Sequence, residues 1–132
     1  MLSTLDYIND ATTAYESLKD NKFSILSKPQ RVCIFCNLIA EKLLLAIITM
    51  HGGVVQKCSI LELLNKVMEK EYYFSDITEE VTFLNVYSGC DTAVIECTVN
   101  DANTSLVYMT RIVEFVDRVL ERNSVGNLVQ RS

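Results

Sequence analysis

The segment PQRVCIFCNLIAEKLLLAIITM, residues Pro29 to Met50, is long and apolar, and we expect the rest of the chain to pack around it. Pro29 at its start, and Gly52 and Gly53 after its end, are residue types that commonly begin and end a helix. Few polar residues lie between them, so neighbouring segments must cover this helix on most sides. The segment therefore predicts one long central helix.

The composition favours a single all-α domain. The chain has 132 residues, enough for one hydrophobic core, and apolar residues make up 49% of it. One proline and four glycines interrupt the sequence, whereas a fold of many strands would need more turns. We predict an up-and-down bundle of four to five helices over residues 1–123 and a flexible C-terminal tail over residues 124–132.

Local signals place the other helices. The apolar periodicity predicts a first helix from about Thr4 to Lys19, capped by Ser3 or Thr4. Three later helices begin with a capping box, in which two residues three positions apart bond each other's backbone amides. The pairs are Ser59 with Glu62, Asp76 with Glu79, and Thr98 with Asp101. The first two of these helices should reach about Tyr72 and Gly89, and residues 90–99 should form an extended loop.

The cysteines indicate buried thiols in a reducing cytoplasm. They are odd in number and lie in apolar segments: Cys33, Cys36, Cys58, Cys90 and Cys97. Cys33 and Cys36 have the spacing of half a zinc site, but no second pair with that spacing follows. The chain also lacks the glycine-rich phosphate-binding motifs. We therefore predict a cytoplasmic protein with no disulfide, no metal site and no cofactor.

The charges within the central helix argue against a membrane span. Glu41 and Lys42 divide its apolar part into uncharged runs of nine and eight residues. A helix that crosses a bilayer needs about 20 consecutive apolar residues. We therefore expect no membrane contact.

His51 is the only histidine and follows the central helix. A helix C-terminus attracts a partly cationic side chain through its dipole, which explains this position without catalysis. No nucleophile stands at a recognised catalytic spacing from His51. A structural role is therefore the main interpretation of this residue.

Three arginines lie along one side of the last helix, at steps of seven and four residues: Arg111, Arg118 and Arg122. With His51 they are the candidate contacts to nucleic acid or a nucleotide, because guanidinium groups bind phosphates. The formal net charge of −5 requires such a local patch. The alternative is a solvated ion-pair stripe, since Glu114 precedes Arg118 by four residues. The six tyrosines are spread through the chain and predict no stacking cluster.

The central helix also predicts a homodimer. At 100° per residue, four apolar side chains fall within the polar arc that contains Asn37 and Glu41: Ile34, Leu38, Leu45 and Ile48. Apolar side chains that point outward from a bundle need another surface to cover them. We expect a second copy of the chain to do so across a two-fold axis.

Two segments resemble the HEPN domain family. They are Ala40-Glu41-Lys42-Leu43-Leu44 in the central helix and Cys58-Ser59-Ile60-Leu61-Glu62-Leu63-Leu64 at the start of the third. The likeness in helix order covers nearly the whole chain. It implies a helical bundle that is usually dimeric. Many members are ribonucleases of toxin-antitoxin or defence systems, and others are non-catalytic modules that associate with RNA or nucleotides, often encoded beside a small nucleotidyltransferase.

The sequence departs from that family at its functional positions. Leu45 replaces a second lysine, and Cys58 replaces a histidine. The family's nuclease motif, an arginine followed a few residues later by a histidine, is missing, because the matching positions before His51 hold Leu44, Leu45 and Ala46. The resemblance thus implies a non-catalytic module that binds a protein partner, with a nucleotidyltransferase as the expected one, and RNA or a nucleotide. A divergent ribonuclease using His51 or the Arg111 region and an unrelated helical adaptor remain alternatives.

Overall fold

The computed structural model describes residues 3–19, 28–54, 58–88 and 96–123. Within these ranges the chain forms five α-helices and one 3-10 helix, without a strand. The helices are α1 (Thr4–Lys19), α2 (Pro29–Met50), α3 (Ile60–Met68), α4 (Thr78–Asn85) and α5 (Val99–Arg122), and the 3-10 helix is Tyr72–Ile77. The predicted all-α bundle is confirmed. The predicted tail, residues 124–132, and most of the predicted loop lie outside the described residues.

Helix α2 is the centre of the bundle and packs against α1, α3, α4 and α5. It ends as predicted, because Gly52 adopts a φ of 75° and the Gly53 amide donates to the Ile48 carbonyl over 2.9 Å. A Cβ atom at Gly53 would lie 2.8 Å from Ile48 Cγ2, so this position has no room for a side chain. The predicted bounds of α1 and α2 are both confirmed.

By length and composition, α2 is apolar enough to cross a membrane, with a mean hydropathy of 2.1 across its most apolar window. Of that window, 67% is buried inside the chain. Packing within the bundle therefore accounts for the apolar sequence of α2. The cytoplasmic location stays a prediction.

Asn37 joins three helices. Its side chain is 6% exposed, and Nδ2 donates to the Leu84 carbonyl at the end of α4 and to Ser88 Oγ, each over 2.9 Å. Ser88 Oγ also accepts the amide of Ile60 at the start of α3, over 3.3 Å. The prediction that Asn37 faces the polar outside of α2 is therefore wrong, because α4 covers it.

Hydrogen bonds between helices also show the direction in which each helix runs. Thr4 of α1 meets Thr49 of α2 through their hydroxyls at 2.9 Å, so these two helices are antiparallel. The start of α3 lies level with Asn37, which is in the first half of α2, so α3 runs in the direction of α2. The Leu61 amide donates to Asn85 Oδ1 at the end of α4, which makes α3 and α4 antiparallel. The alternation of up and down thus breaks between α2 and α3.

The predicted dimer residues divide into two pairs. Leu45 and Ile48 are each 7% exposed. The expectation that they point outward is wrong, because other helices of the same chain cover them. Ile34 and Leu38 are half-buried and keep some accessible apolar surface. The homodimer stays a prediction, with only Ile34 and Leu38 available for it.

Two of the three predicted capping boxes form. Ser59 and Glu62 close the start of α3, and Thr98 and Asp101 close the start of α5, each with both reciprocal hydrogen bonds. Both are confirmed. Helix α3 ends at Met68 and does not reach Tyr72 as predicted.

The third predicted box, Asp76 with Glu79, is wrong. The 3-10 helix occupies residues 72–77 and buries Phe74 and Ile77, so Asp76 lies inside it and α4 starts without a side-chain cap. The Thr78 hydroxyl instead donates to the Ser75 carbonyl over 2.7 Å. Burial of the two apolar side chains thus takes precedence over the local capping signal.

Cys33 and Cys97 form a disulfide between α2 and the residue before the N-cap of α5. The prediction of free thiols is wrong for this pair, because the bundle brings together two residues 64 positions apart. Cys36 and Cys58 are free, and Cys90 lies outside the described residues. In the described part of the chain, no group of three or more potential metal-binding side chains occurs.

Candidate functional site

The structure separates the three arginines of α5 into two environments. Arg111 Nη1 lies 3.4 Å from Glu80 Oε2 on α4, and its guanidinium group lies 5.3 Å from the centre of the Tyr108 ring. Glu80 is 8% exposed, so the partner of Arg111 is a buried carboxylate. Arg111 is therefore held by the fold and is poorly placed to bind a ligand phosphate.

Arg118 and Arg122 instead lie over aromatic rings. The Arg118 guanidinium is 5.8 Å from the centre of the Phe115 ring, and that of Arg122 is 5.2 Å from the centre of the Tyr73 ring. Neither forms a salt bridge with a carboxylate among the residues that the structure describes. The predicted ion pair between Glu114 and Arg118 is thus not formed. Both arginine side chains are exposed.

Four aromatic side chains support this surface. Phe74 is fully buried, and its ring meets that of Phe115 edge to face with centres 4.9 Å apart. The Tyr73 ring packs 6.0 Å from Phe115 and 6.2 Å from Tyr72, and Tyr72 is 80% exposed. Tyr72 and Tyr73 are the two tyrosines that meet here, and they do so edge to face rather than stacked. We call Tyr72, Tyr73, Phe115, Arg118 and Arg122 the arginine-aromatic surface.

His51 is linked to this surface by Glu71. His51 Nε2 lies 2.9 Å from Glu71 Oε2, and the other oxygen of Glu71 accepts a hydrogen bond from the Tyr73 hydroxyl. His51, Glu71, Tyr73 and Arg122 thus form a continuous chain of contacts across the ends of α2 and α5. The structure therefore brings His51 and Arg122 together, and leaves Arg111 outside this chain.

Burial raises the pKa of the Tyr73 hydroxyl, and the hydrogen bond to Glu71 and the charge of Glu71 raise it further. Arg122 acts in the opposite direction, because a cation favours the phenolate. The net shift is upward, so Tyr73 is a proton donor to Glu71 at neutral pH.

The arrangement suits binding better than acid-base catalysis. In the described residues the only side-chain hydrogen bond of His51 is to Glu71, and no hydroxyl or thiol nucleophile contacts the ring. The side chains of Arg118, Glu121 and Arg122 lie together on the exposed face of the last turns of α5. Two exposed guanidinium groups over half-buried aromatic rings, with the exposed ring of Tyr72 next to Tyr73, match a ligand that carries both phosphates and flat rings.

Sequence reasoning missed Glu71, Tyr72, Tyr73 and Phe115 as members of the candidate site. The consecutive residues Tyr72, Tyr73 and Phe74 are the signal that could have pointed to it. Their meeting with Phe115 joins residues about 40 positions apart, and periodicity within one helix does not report such a contact.

Comparison with protein-family models, with curated proteins and with solved structures found no match. The resemblance to HEPN domains therefore stays a prediction. The function has to be argued from the residues of this chain.

Proposed function

We propose that this chain is a non-catalytic helical module that contacts RNA or a nucleotide through the arginine-aromatic surface and acts with a protein partner. The position of Arg118 and Arg122 carries the proposal. Their guanidinium groups lie on aromatic rings and are exposed. In that state Arg118 keeps its hydrogen-bond donors for phosphate oxygens, and Arg122 keeps those that the Tyr73 hydroxyl does not engage.

Fluorescence anisotropy with a labelled RNA oligonucleotide tests this proposal. Arg118→Gln with Arg122→Gln should weaken binding about tenfold at low salt, because two phosphate contacts are lost, and should reduce the salt dependence. Arg111→Gln is the matched control on the same helix, and it should change the affinity less than about twofold. Equal effects of the double variant and the control would contradict the proposal.

The non-catalytic part has its own test. We expect the purified protein to leave RNA intact, because His51 is bonded to Glu71 and has no arginine at the spacing of the HEPN nuclease motif. Incubation with labelled RNA, followed by gel analysis, measures cleavage. Cleavage that disappears in His51→Ala would support the divergent ribonuclease instead.

The partner rests on the HEPN resemblance, and a small nucleotidyltransferase is the expected one. An affinity pull-down from native extract, analysed for both protein and RNA, distinguishes the alternatives. A nucleotidyltransferase together with RNA supports the proposal. Recovery of other proteins without RNA favours the unrelated helical adaptor.

The homodimer is part of the same proposal. Light scattering at micromolar concentration should give twice the 14.9 kDa monomer mass. Ile34→Glu with Leu38→Glu should return the monomer, because these half-buried residues keep apolar surface on α2. Leu45→Glu is unsuitable as a test, since Leu45 is buried within the monomer. A monomer mass for the unmodified protein would refute this part.

A further inference from the structure

Tyr72 differs from the other aromatic residues of the 3-10 helix. Phe74 is fully buried and Tyr73 is half-buried, but Tyr72 is 80% exposed. The rings of Tyr72 and Tyr73 meet at 80°, so Tyr73 does not stack on Tyr72. No hydrogen bond of the Tyr72 hydroxyl occurs among the described residues. A large flat ring is thus presented to solvent without a stacking partner within the described chain.

The two cations of the arginine-aromatic surface are spaced along α5, and the nearer link to Tyr72 runs through Tyr73, whose ring meets Tyr72 and lies under Arg122. Arg118 and Arg122 are four residues apart, which is about 6 Å along the helix axis. This separation suits two consecutive phosphates of an extended strand, whereas the linked phosphates of one nucleotide lie closer together. Glu121 lies between the two arginines on α5, and Glu71 is bonded to the Tyr73 hydroxyl under Arg122, so two carboxylates oppose phosphate binding by the two cations.

We propose that Tyr72 is a stacking platform for one base of a single-stranded polynucleotide, while Arg118 and Arg122 bind two consecutive phosphates of that strand. This inference rests on the proposed function and deepens it, because it selects a single strand over a mononucleotide. A duplex does not fit, since its bases already stack on each other and are closed to Tyr72. Stacking is tolerant of sequence, so little base preference is expected.

Anisotropy titrations with labelled strands of about eight nucleotides, within the usual range for one small binding site, test the inference. Tyr72→Ala should weaken binding about tenfold, the usual effect of losing one stacked base. Tyr72→Trp should preserve binding, because it keeps an aromatic face. Tyr108→Ala is the control, since Tyr108 lies under Arg111 and outside the arginine-aromatic surface, and it should leave the affinity unchanged.

Parallel titrations with RNA, DNA, a duplex and a mononucleotide define the ligand. We expect both single strands to bind and the other two to bind at least about tenfold more weakly. Equal or tighter binding of the duplex or the mononucleotide would overturn the inference. Circular dichroism of each variant confirms that it is folded, and Tyr72 is exposed enough to be replaced without loss of the core.

The outcomes separate the inference from the proposed function. If Tyr72→Ala binds RNA as the unmodified protein does while the Arg118 and Arg122 variant binds weakly, the stacking platform is refuted and the proposed function stands. If the unmodified protein binds no oligonucleotide and no nucleotide, both fail. Loss of a protein from the pull-down with Tyr72→Ala, at unchanged oligonucleotide affinity, would assign Tyr72 to a protein interface and refute the platform.

Discussion

Tyr73 and Tyr108 are each held between a glutamate and an arginine, yet the two places differ in what they leave available. The Tyr73 hydroxyl donates to Glu71, and Arg122 lies 5.2 Å from the centre of its ring. Glu71 also binds His51, so its carboxylate is shared between two side chains. Arg122 has no carboxylate partner among the described residues and keeps its charge for a ligand.

At the other place, the Tyr108 hydroxyl donates to Glu79 over 3.2 Å, and Arg111 lies over the ring. Here α4 supplies a second carboxylate, Glu80, which is buried and takes up the charge of Arg111. The same three residue types therefore give a structural contact in one place and an open cation in the other. The difference arises because α4 places the Glu80 carboxylate beside Arg111, whereas no carboxylate among the described residues pairs with Arg122.

The largest expected difference between the Tyr73 and Tyr108 contacts is the stability that the neighbouring phenylalanine contributes to the fold. Phe74→Ala should lower the free energy of unfolding by about 3–5 kcal/mol, because Phe74 is fully buried beneath Phe115. Phe83→Ala should cost about half as much, since Phe83 packs on Tyr108 but is only partly buried. Urea denaturation measures both. Equal losses would show that the two aromatic groups support the fold alike.

A second comparison concerns the arginines themselves. Arg111→Met should destabilise the fold by about 1–2 kcal/mol, because it leaves the Glu80 carboxylate buried without a cation. Glu80 Oε1 already has no hydrogen-bond partner. The loss is at the low end for buried pairs, because the Arg111 side chain is 54% exposed. Arg118→Met should change stability by less than about 0.5 kcal/mol.

Removing the charge of Glu80 as well as that of Arg111 tests whether these two charges stabilise each other. Glu80→Gln in the Arg111→Met background should recover part of the lost stability, because a neutral amide is easier to bury than a carboxylate. Thermal unfolding of the four proteins in this cycle gives the coupling energy. A coupling of zero would mean that the contact between Arg111 and Glu80 does not contribute to stability.

Alkaline titration compares the two tyrosines directly. Desolvation is the first cause that raises the pKa of each hydroxyl above its ordinary value of 10.0, and the bonded glutamate is the next. A raised pKa means that folding favours the neutral hydroxyl. The resulting stability is complete below pH 10 and is lost as the pH rises through the folded pKa.

The glutamates can be removed one at a time. Glu71→Gln should lower the pKa of Tyr73 and leave that of Tyr108 unchanged, while Glu79→Gln should do the reverse. The ultraviolet absorbance of the phenolate follows both titrations. Tyr73→Phe and Tyr108→Phe assign the steps. A pKa of Tyr73 that does not respond to Glu71→Gln would show that Glu71 does not contribute to the shift.

A similarly small effect is expected at His51. His51→Gln should change the free energy of unfolding by less than about 0.5 kcal/mol, because the side chain is 33% exposed and glutamine can still donate a hydrogen bond to Glu71. Denaturant midpoints at neutral pH measure this. A loss of stability several times larger would mean that the bond between His51 and Glu71 stabilises the contacts around Tyr73.

Local signals predicted the helices that depend on local structure. Pro29 and Gly52 set the bounds of α2, and Ser59 and Thr98 cap α3 and α5 as expected. The prediction failed at Asp76, where the side chains of a 3-10 helix had to be buried instead.

What the sequence did not predict depends on contacts between distant segments. The arc of α2 that contains Asn37 and Leu45 looked polar or open because one helix alone does not show which neighbour covers it. The spacing of the arginines placed them on one side of α5. It did not indicate that Arg111 would pair with Glu80 or that Arg118 would lie over the Phe115 ring. Those outcomes follow from the packing of α4 and the 3-10 helix.

The disulfide between Cys33 and Cys97 changes how the protein behaves when a protease cuts it. It closes a covalent ring that contains all of α3, all of α4 and most of α2. A protease that cuts one peptide bond inside that ring leaves both pieces attached to each other. The nicked protein would run as a single species on a non-reducing gel, and only a reducing agent would release two fragments.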